Sequence, residues 1–254
     1  MIVNPLDKGW KIFFHKAHAL LAMDIGLNLK REFWPLPMYW GAGIESIAQH
    51  DNNQPKWHKR DNLTSSGAPL DYRQRKDVDL EQVKSVFQNA KYKSSFIVLM
   101  VSAHFQKLYG DSKELEVQQF LDSIDTSCGE IMSNLGLKKE QVTQCYQVLR
   151  FCDDLSLALC QNDFENQRDP IQIDPISGSD PISISQLPDG NFELAPWVFE
   201  KDKVMFYTEY YTTTTDFYSE DEVLKNDLDL LHPMRKEFIL KKKRLSHNHV
   251  FLSG

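Results

Sequence analysis

The middle of this chain carries helical periodicity, and strand-type segments too short to stand alone bracket it on both sides. This bracketing restricts the fold more than any other feature. At the start, Ile2-Val3 reads as a short strand, Pro5-Leu6-Asp7-Lys8-Gly9 carries turn chemistry, and residues 10–14 read as a second strand. A two-stranded hairpin is marginal in water and needs further strands or a helix to cover it. After residue 162 the helical pattern ends. Turn signals follow at Asp169-Pro170, Asp174-Pro175, Asp180-Pro181 and Pro188-Asp189-Gly190. Residues 182–185 and 191–194 predict a hairpin, Val198-Phe199 and 204–211 further strands, 219–230 a short helix and 237–242 a last strand. The expectation is therefore α+β. A mainly helical body over 15–162 packs against one antiparallel sheet formed by the N-terminal hairpin and the C-terminal strands, 1–14 and 182–242, in a single domain spanning 1–254.

Inside the body the pattern predicts helices over 15–33, 39–51, 80–92, 94–109, 113–135 and 139–161. Trp34-Pro35-Leu36-Pro37 breaks the first from the second, and Gly110 and Gly136 stand where C-terminal caps are expected. Residues 52–79 have no sustained periodicity. A long structureless loop in a compact domain is usually functional. This one gathers Lys56, Trp57, His58, Lys59, Arg60, Arg73 and Arg75.

Composition narrows the function classes. With 254 residues, 41% of them apolar and 26% charged, the chain has ordinary globular usage and is neither disordered nor fibrous. The longest apolar run, 96–101, is far below the roughly 20 residues of a membrane span. Residues 1–5 lack the basic and apolar regions of a secretory signal. A net charge of −7 argues against general nucleic-acid binding. The four cysteines, Cys128, Cys145, Cys152 and Cys160, contain no C-x-x-C pair and read as small apolar core residues, so a reduced cytoplasmic location is expected. Lys241-Lys242-Lys243-Arg244 and His247-Asn248-His249 read as a solvated end rather than as a nucleic-acid or metal site. No G-x-S-x-G elbow and no Walker-type loop occurs.

Four places put a histidine or an acid on an otherwise apolar helical face. His15 and His18 are neighbours three apart above Ala19, Ala22 and Ile25. His50-Asp51 ends the stripe of Ile44, Ile47 and Ala48. His104 lies beyond Met100 and Val101. In Asp153-Asp154, Asp153 shares the face of Tyr146, Leu149, Leu157 and Cys160, whereas Asp154 falls four residues after Arg150 and pairs with it. A buried carboxylate is costly unless paired or bound to a metal. Imidazoles and two carboxylates converging from several helices suit a divalent ion.

This order, H…HD…D, resembles the ligand set of HD-domain metal-dependent phosphohydrolases. The resemblance implies His18, His50, Asp51 and Asp153 as metal ligands, and His104 as a counterpart of the further helical histidines that hold a second ion in some relatives. Asn52-Asn53-Gln54-Pro55 follows the His-Asp pair in place of the apolar-Gly-Lys of many HD enzymes. A whole-chain resemblance also exists. Met1-Ile2-Val3, His18-Ala19, Ala48-Gln49-His50-Asp51-Asn52 with Trp57, Ser102-Ala103-His104-Phe105, Asp153-Asp154-Leu155-Ser156-Leu157 and Pro196-Trp197-Val198-Phe199 resemble a bacterial family of unknown function, number 3891 among such domains. That likeness implies a fold and no reaction.

Two functions follow. In the first, a divalent ion (Mn, Fe, Mg or Zn) serves hydrolysis of a small phosphorylated molecule. His50 and Asp51 are then catalytic, with Asp51 orienting water, and Lys56, Trp57, His58, Arg60 and His15 contact substrate. In the second, the site is a non-catalytic metal or ligand sensor. The aromatics Tyr207, Tyr210, Tyr211 and Phe217 then offer an interaction surface or simply pack the sheet.

Overall fold

The computed structural model describes residues 1–51, 61–75, 78–161, 164, 169–176 and 178–243. Strands β1 (Ile2–Pro5) and β2 (Trp10–Phe13) form the opening hairpin, pairing Ile2 with Phe13 and Pro5 with Trp10. The turn between them depends on Gly9. Its φ of 77° suits glycine, and a Cβ there would lie 2.0 Å from the Thr213 carbonyl oxygen. Six helices follow: α1 (His15–Asn28), α2 (Trp40–Gln49), α3 (Leu80–Lys91), α4 (Ser95–Tyr109), α5 (Leu115–Leu135) and α6 (Lys139–Gln161). Asp79 and Ser94 cap α3 and α4 by accepting the amides of Gln82 and Phe96, and Gly136 ends α5 in the left-handed conformation. The first helix is shorter than its apolar pattern. After Asn28 the chain extends at Leu29 and makes a 3-10 turn over Arg31–Phe33.

Strands β3 (Ile171–Ile173), β4 (Ile182–Gln186), β5 (Phe192–Ala195), β6 (Lys203–Thr212) and β7 (Met234–Lys242), with α7 (Asp221–Leu230) between the last two, complete the chain. All seven strands join in the order β1-β2-β6-β7-β5-β4-β3. The N-terminal hairpin does meet the C-terminal strands, since Lys11 and Ile12 of β2 pair with Thr212 and Tyr211 of β6.

Three expectations about the sheet need correction. It is mixed rather than antiparallel, because β5 runs parallel to β7, with Phe192 opposite Leu240. The chain leaves β5, crosses to β6 and returns along β7, and that return sets the direction. The sheet also starts before residue 182, with β3, whose Ile171 and Ile173 pair with Ile184 and Ile182. Three residues are too few for alternation to show in sequence. Val198-Phe199 is no strand. Phe199 makes an isolated bridge to Leu29 and is fully buried beneath Trp197 and against Phe206.

The main core lies between the inner face of the sheet and α1, α2, α4 and α6. It contains the fully buried Phe13, Phe151, Phe199, Phe206 and Phe238. Burial of each such ring contributes about 1.5–3 kcal/mol. α1 lies across β6, where the Thr208 hydroxyl donates to the Ala17 carbonyl. A Cβ on Gly26 would sit 2.9 Å from the Ile47 side chain and 3.5 Å from Cys152 Sγ, so glycine permits α1 to approach α2 and α6 closely. A second cluster joins Val83, Phe87, Ile97, Val101, Phe105 and Leu121 of α3, α4 and α5. Among the described residues no helix is long and apolar enough to cross a membrane.

Candidate metal centre

The close approach of α1, α2, α4 and α6 brings the histidines and acids of four separate segments to one place. His15 and His18 come from the first turn of α1, His50 and Asp51 from the turn that ends α2, His104 from α4 and Asp153 from the middle of α6. The imidazoles form a row packed edge to face: His15 to His18 with ring centroids 5.6 Å apart, His18 to His50 at 5.2 Å, and His50 to His104 at 5.3 Å. His18 is fully buried, and Asp153 is 7% exposed. The Asp51 carboxylate keeps 21% exposure, so the cluster is most open on its side.

The hydrogen bonds fix which nitrogen of each ring faces inward. The Ile47 carbonyl lies 2.6 Å from His50 Nδ1, and a carbonyl can only accept, so Nδ1 carries the hydrogen. His50 Nε2 then faces Asp153 Oδ1 at 3.1 Å and Asp51 Oδ2 at 3.6 Å. The Ser156 hydroxyl donates to the Asp153 carbonyl oxygen, so it accepts from His18 Nδ1 at 2.9 Å. That leaves His18 Nε2 facing Asp51 Oδ2 at 2.6 Å. In both rings an oxygen acceptor holds Nδ1–H and presents Nε2 to carboxylates, the arrangement that outer partners give to metal-ligating histidines.

His15 donates Nδ1–H to Asp51 Oδ2 at 3.0 Å, while its buried Nε2 has no hydrogen-bond partner among the described residues. His104 Nδ1 meets the Tyr146 hydroxyl at 3.3 Å, and that hydroxyl in turn accepts from Arg150. Two sets of donor atoms could hold an ion: His15, His18 and Asp51, and His18, His50 and Asp153, each set lying within 4.8 Å. Among the described residues His104 is in neither.

Charge follows the same geometry. Burial lowers the His50 pKa, but Asp153 and Asp51 beside it dominate and hold it up at about 10. Burial raises the Asp153 carboxyl, but His50 outweighs this and holds it down to about 2. Asp51 is likewise held well below the usual carboxylate range by His50 and His15 against its own burial. Burial lowers His15 and His104 to about 4. Asp154 is turned away from the cluster and bonded to Arg150 at 2.7 Å. Burial raises its carboxyl to about 6.

The sequence pattern finds His15, His18, His50, Asp51, Asp153 and His104, and all six come together. Lys56, Trp57, His58, Lys59 and Arg60 lie outside the described residues. Arg73 is paired with Asp71 at 2.7 Å and Arg75 donates to the Asp61 carbonyl, so both guanidinium groups are engaged within their own segment. That segment is more ordered than its sequence suggests. Asp71 caps a 3-10 turn over Tyr72–Gln74 and accepts the Val3 amide, covering the β1 edge. It also carries Tyr72 to the cluster, its ring 5.3 Å from His15 and its hydroxyl bonded to Gln161. Tyr72 has no periodic signature. Tyr146, two turns before Asp153, and Ser156, three residues after it, are both within reach of helical spacing.

Fold and site together define a mixed α+β protein with a buried histidine–aspartate cluster of metal-binding composition. The family described as "Protein of unknown function (DUF3891)" matches residues 1–214, and the chain belongs to that family. No curated protein and no solved structure matches the chain.

Proposed function

We propose that His18, His50, Asp51 and Asp153 hold one divalent ion and that the centre hydrolyses a small phosphorylated molecule. One observation carries the metal reading. Both His18 and His50 have Nδ1–H tied to an oxygen acceptor and Nε2 turned to a carboxylate. Two nitrogen and two carboxylate donors suit Mn, Fe, Mg or Zn. When bound, such an ion supplies Lewis acidity to water and to a phosphoryl oxygen. In this reading Asp51, the more exposed carboxylate, orients a water by accepting its proton in a hydrogen bond. His15, and Lys56, Trp57, His58 and Arg60, which follow Asp51 in the sequence, are the proposed contacts to substrate. The order H…HD…D supports the hydrolytic reading by its likeness to HD-domain phosphohydrolases. Four buried free cysteines agree with a reducing, cytoplasmic setting.

A second reading is a non-catalytic metal or ligand sensor, favoured by the depth of the cluster: His18, His50 and Asp153 are all buried. One experiment separates the two. Metal-free protein is reconstituted with Mn, Fe, Mg or Zn and tested against a panel of phosphorylated small molecules, with Asp51→Ala as control. Metal-dependent phosphate release lost in Asp51→Ala supports the enzyme. Tight metal binding without release supports the sensor. Absence of metal binding removes the enzyme and the metal sensor.

A further inference from the structure

His15 belongs to one of the two donor sets, but its bonding gives it a different task. Its Nδ1–H already donates to Asp51 Oδ2 at 3.0 Å. Among the described residues its buried Nε2 has no hydrogen-bond partner, so the bond to Asp51 is the one that fixes the ring. The two donor sets also compete for one atom. His18 has a single inward nitrogen, Nε2, because Nδ1 is held by Ser156. That nitrogen cannot serve two ions, and the set with His50 and Asp153 brings two further buried donors whose other bonds are already made.

We propose that His15 is a positioning residue: it stands outside the coordination sphere and holds Asp51 in place for the ion through Nδ1–H. This inference rests on the metal reading above. A histidine oriented this way plays the outer-partner part, turned through one bond, that Ser156 and the Ile47 carbonyl play for His18 and His50. It also accounts for why two histidines sit one turn apart on α1 with both facing Asp51 Oδ2.

The test uses the full chain and metal alone. His15→Asn places an amide N–H near the position of Nδ1 and keeps the donor, whereas His15→Ala removes it. The expected results are one ion per chain in all three proteins, an affinity for Co(II) or Mn(II) within about threefold of wild type in His15→Asn, and a loss of about 10–100-fold in His15→Ala. The Co(II) absorption spectrum is expected to be unchanged in His15→Asn. Two ions per wild-type chain, or a changed Co(II) spectrum in His15→Asn, would overturn the inference. A measurement independent of metal binding keeps the two proposals apart. Long-range 15N–1H NMR of the metal-free protein should show His15 protonated at Nδ1 and bare at Nε2. The opposite tautomer contradicts the His15 assignment whatever the metal does, and absent metal binding with the Nδ1 tautomer contradicts only the metal reading.

Discussion

Removing Asp153 isolates a buried charge. In the metal-free protein His50 is held at about 10 by its two carboxylates, and Asp153 is the nearer of them at 3.1 Å. Asp153→Ala should therefore cost about 3–5 kcal/mol in chemical denaturation. The same groups set a pH profile. His15 and His104, lowered to about 4, stay neutral when folded but charge when unfolded, so stability falls as pH drops from about 6.5 towards 4. His50 acts in the other direction. Its raised pKa gives a contribution fully present below about 6.5 and lost as pH rises through about 10. Metal-free protein should thus be most stable near pH 6.5 in thermal melts. With metal bound the alkaline decline should disappear, because the ion takes the place of the His50 proton. A decline unchanged by metal would show that His50 is no ligand. The inward turn of Asp153 and the pairing of Asp154 with Arg150 were legible at this scale, because a helix fixes which residues share a face. Tautomers were not, since they depend on the Ile47 carbonyl and on Ser156, and only the folded chain places those.

The helices bring the cluster together, and at Gly26 α1 approaches α2 and α6 closely. Gly26→Leu would drive a side chain into Ile47 and Cys152, pushing α2 from α1 and separating His18 from His50 and Asp51. We expect a stability loss of about 1–3 kcal/mol by denaturation and a clear drop in metal affinity by titration. Gly26→Ala should be much milder, because its nearest neighbour is the mobile end of Ile47. The helix boundaries were readable to within a few residues, apart from the early end of α1, since sustained 3.6-residue periodicity survives in the sequence. Short strands were harder to read. β3 spans three residues, and the parallel pairing of β5 with β7 follows from the path of the chain rather than from any local pattern. The segment containing Tyr72 has no periodicity because a single capped turn and the β1 edge hold it in place.

At the scale of the molecule, the pairing of β2 with β6 joins the chain's first strands to its late ones and encloses the helices between them. Such long-range pairing is expected to make unfolding cooperative. Circular dichroism and tryptophan fluorescence should then report one coincident transition, whereas separate transitions would divide the helical body from the sheet. The acidic composition describes the surface and says little about the centre, where a few buried donors set the chemistry. Anomalous diffraction from crystals of the metal-loaded protein tests the central claim most directly. The account predicts one peak within about 2.0–2.3 Å of His18 Nε2, His50 Nε2, Asp51 and Asp153, with His15 outside that distance. A metal-loaded crystal with no peak among these four side chains, the histidines still bonded directly to the carboxylates, would contradict it.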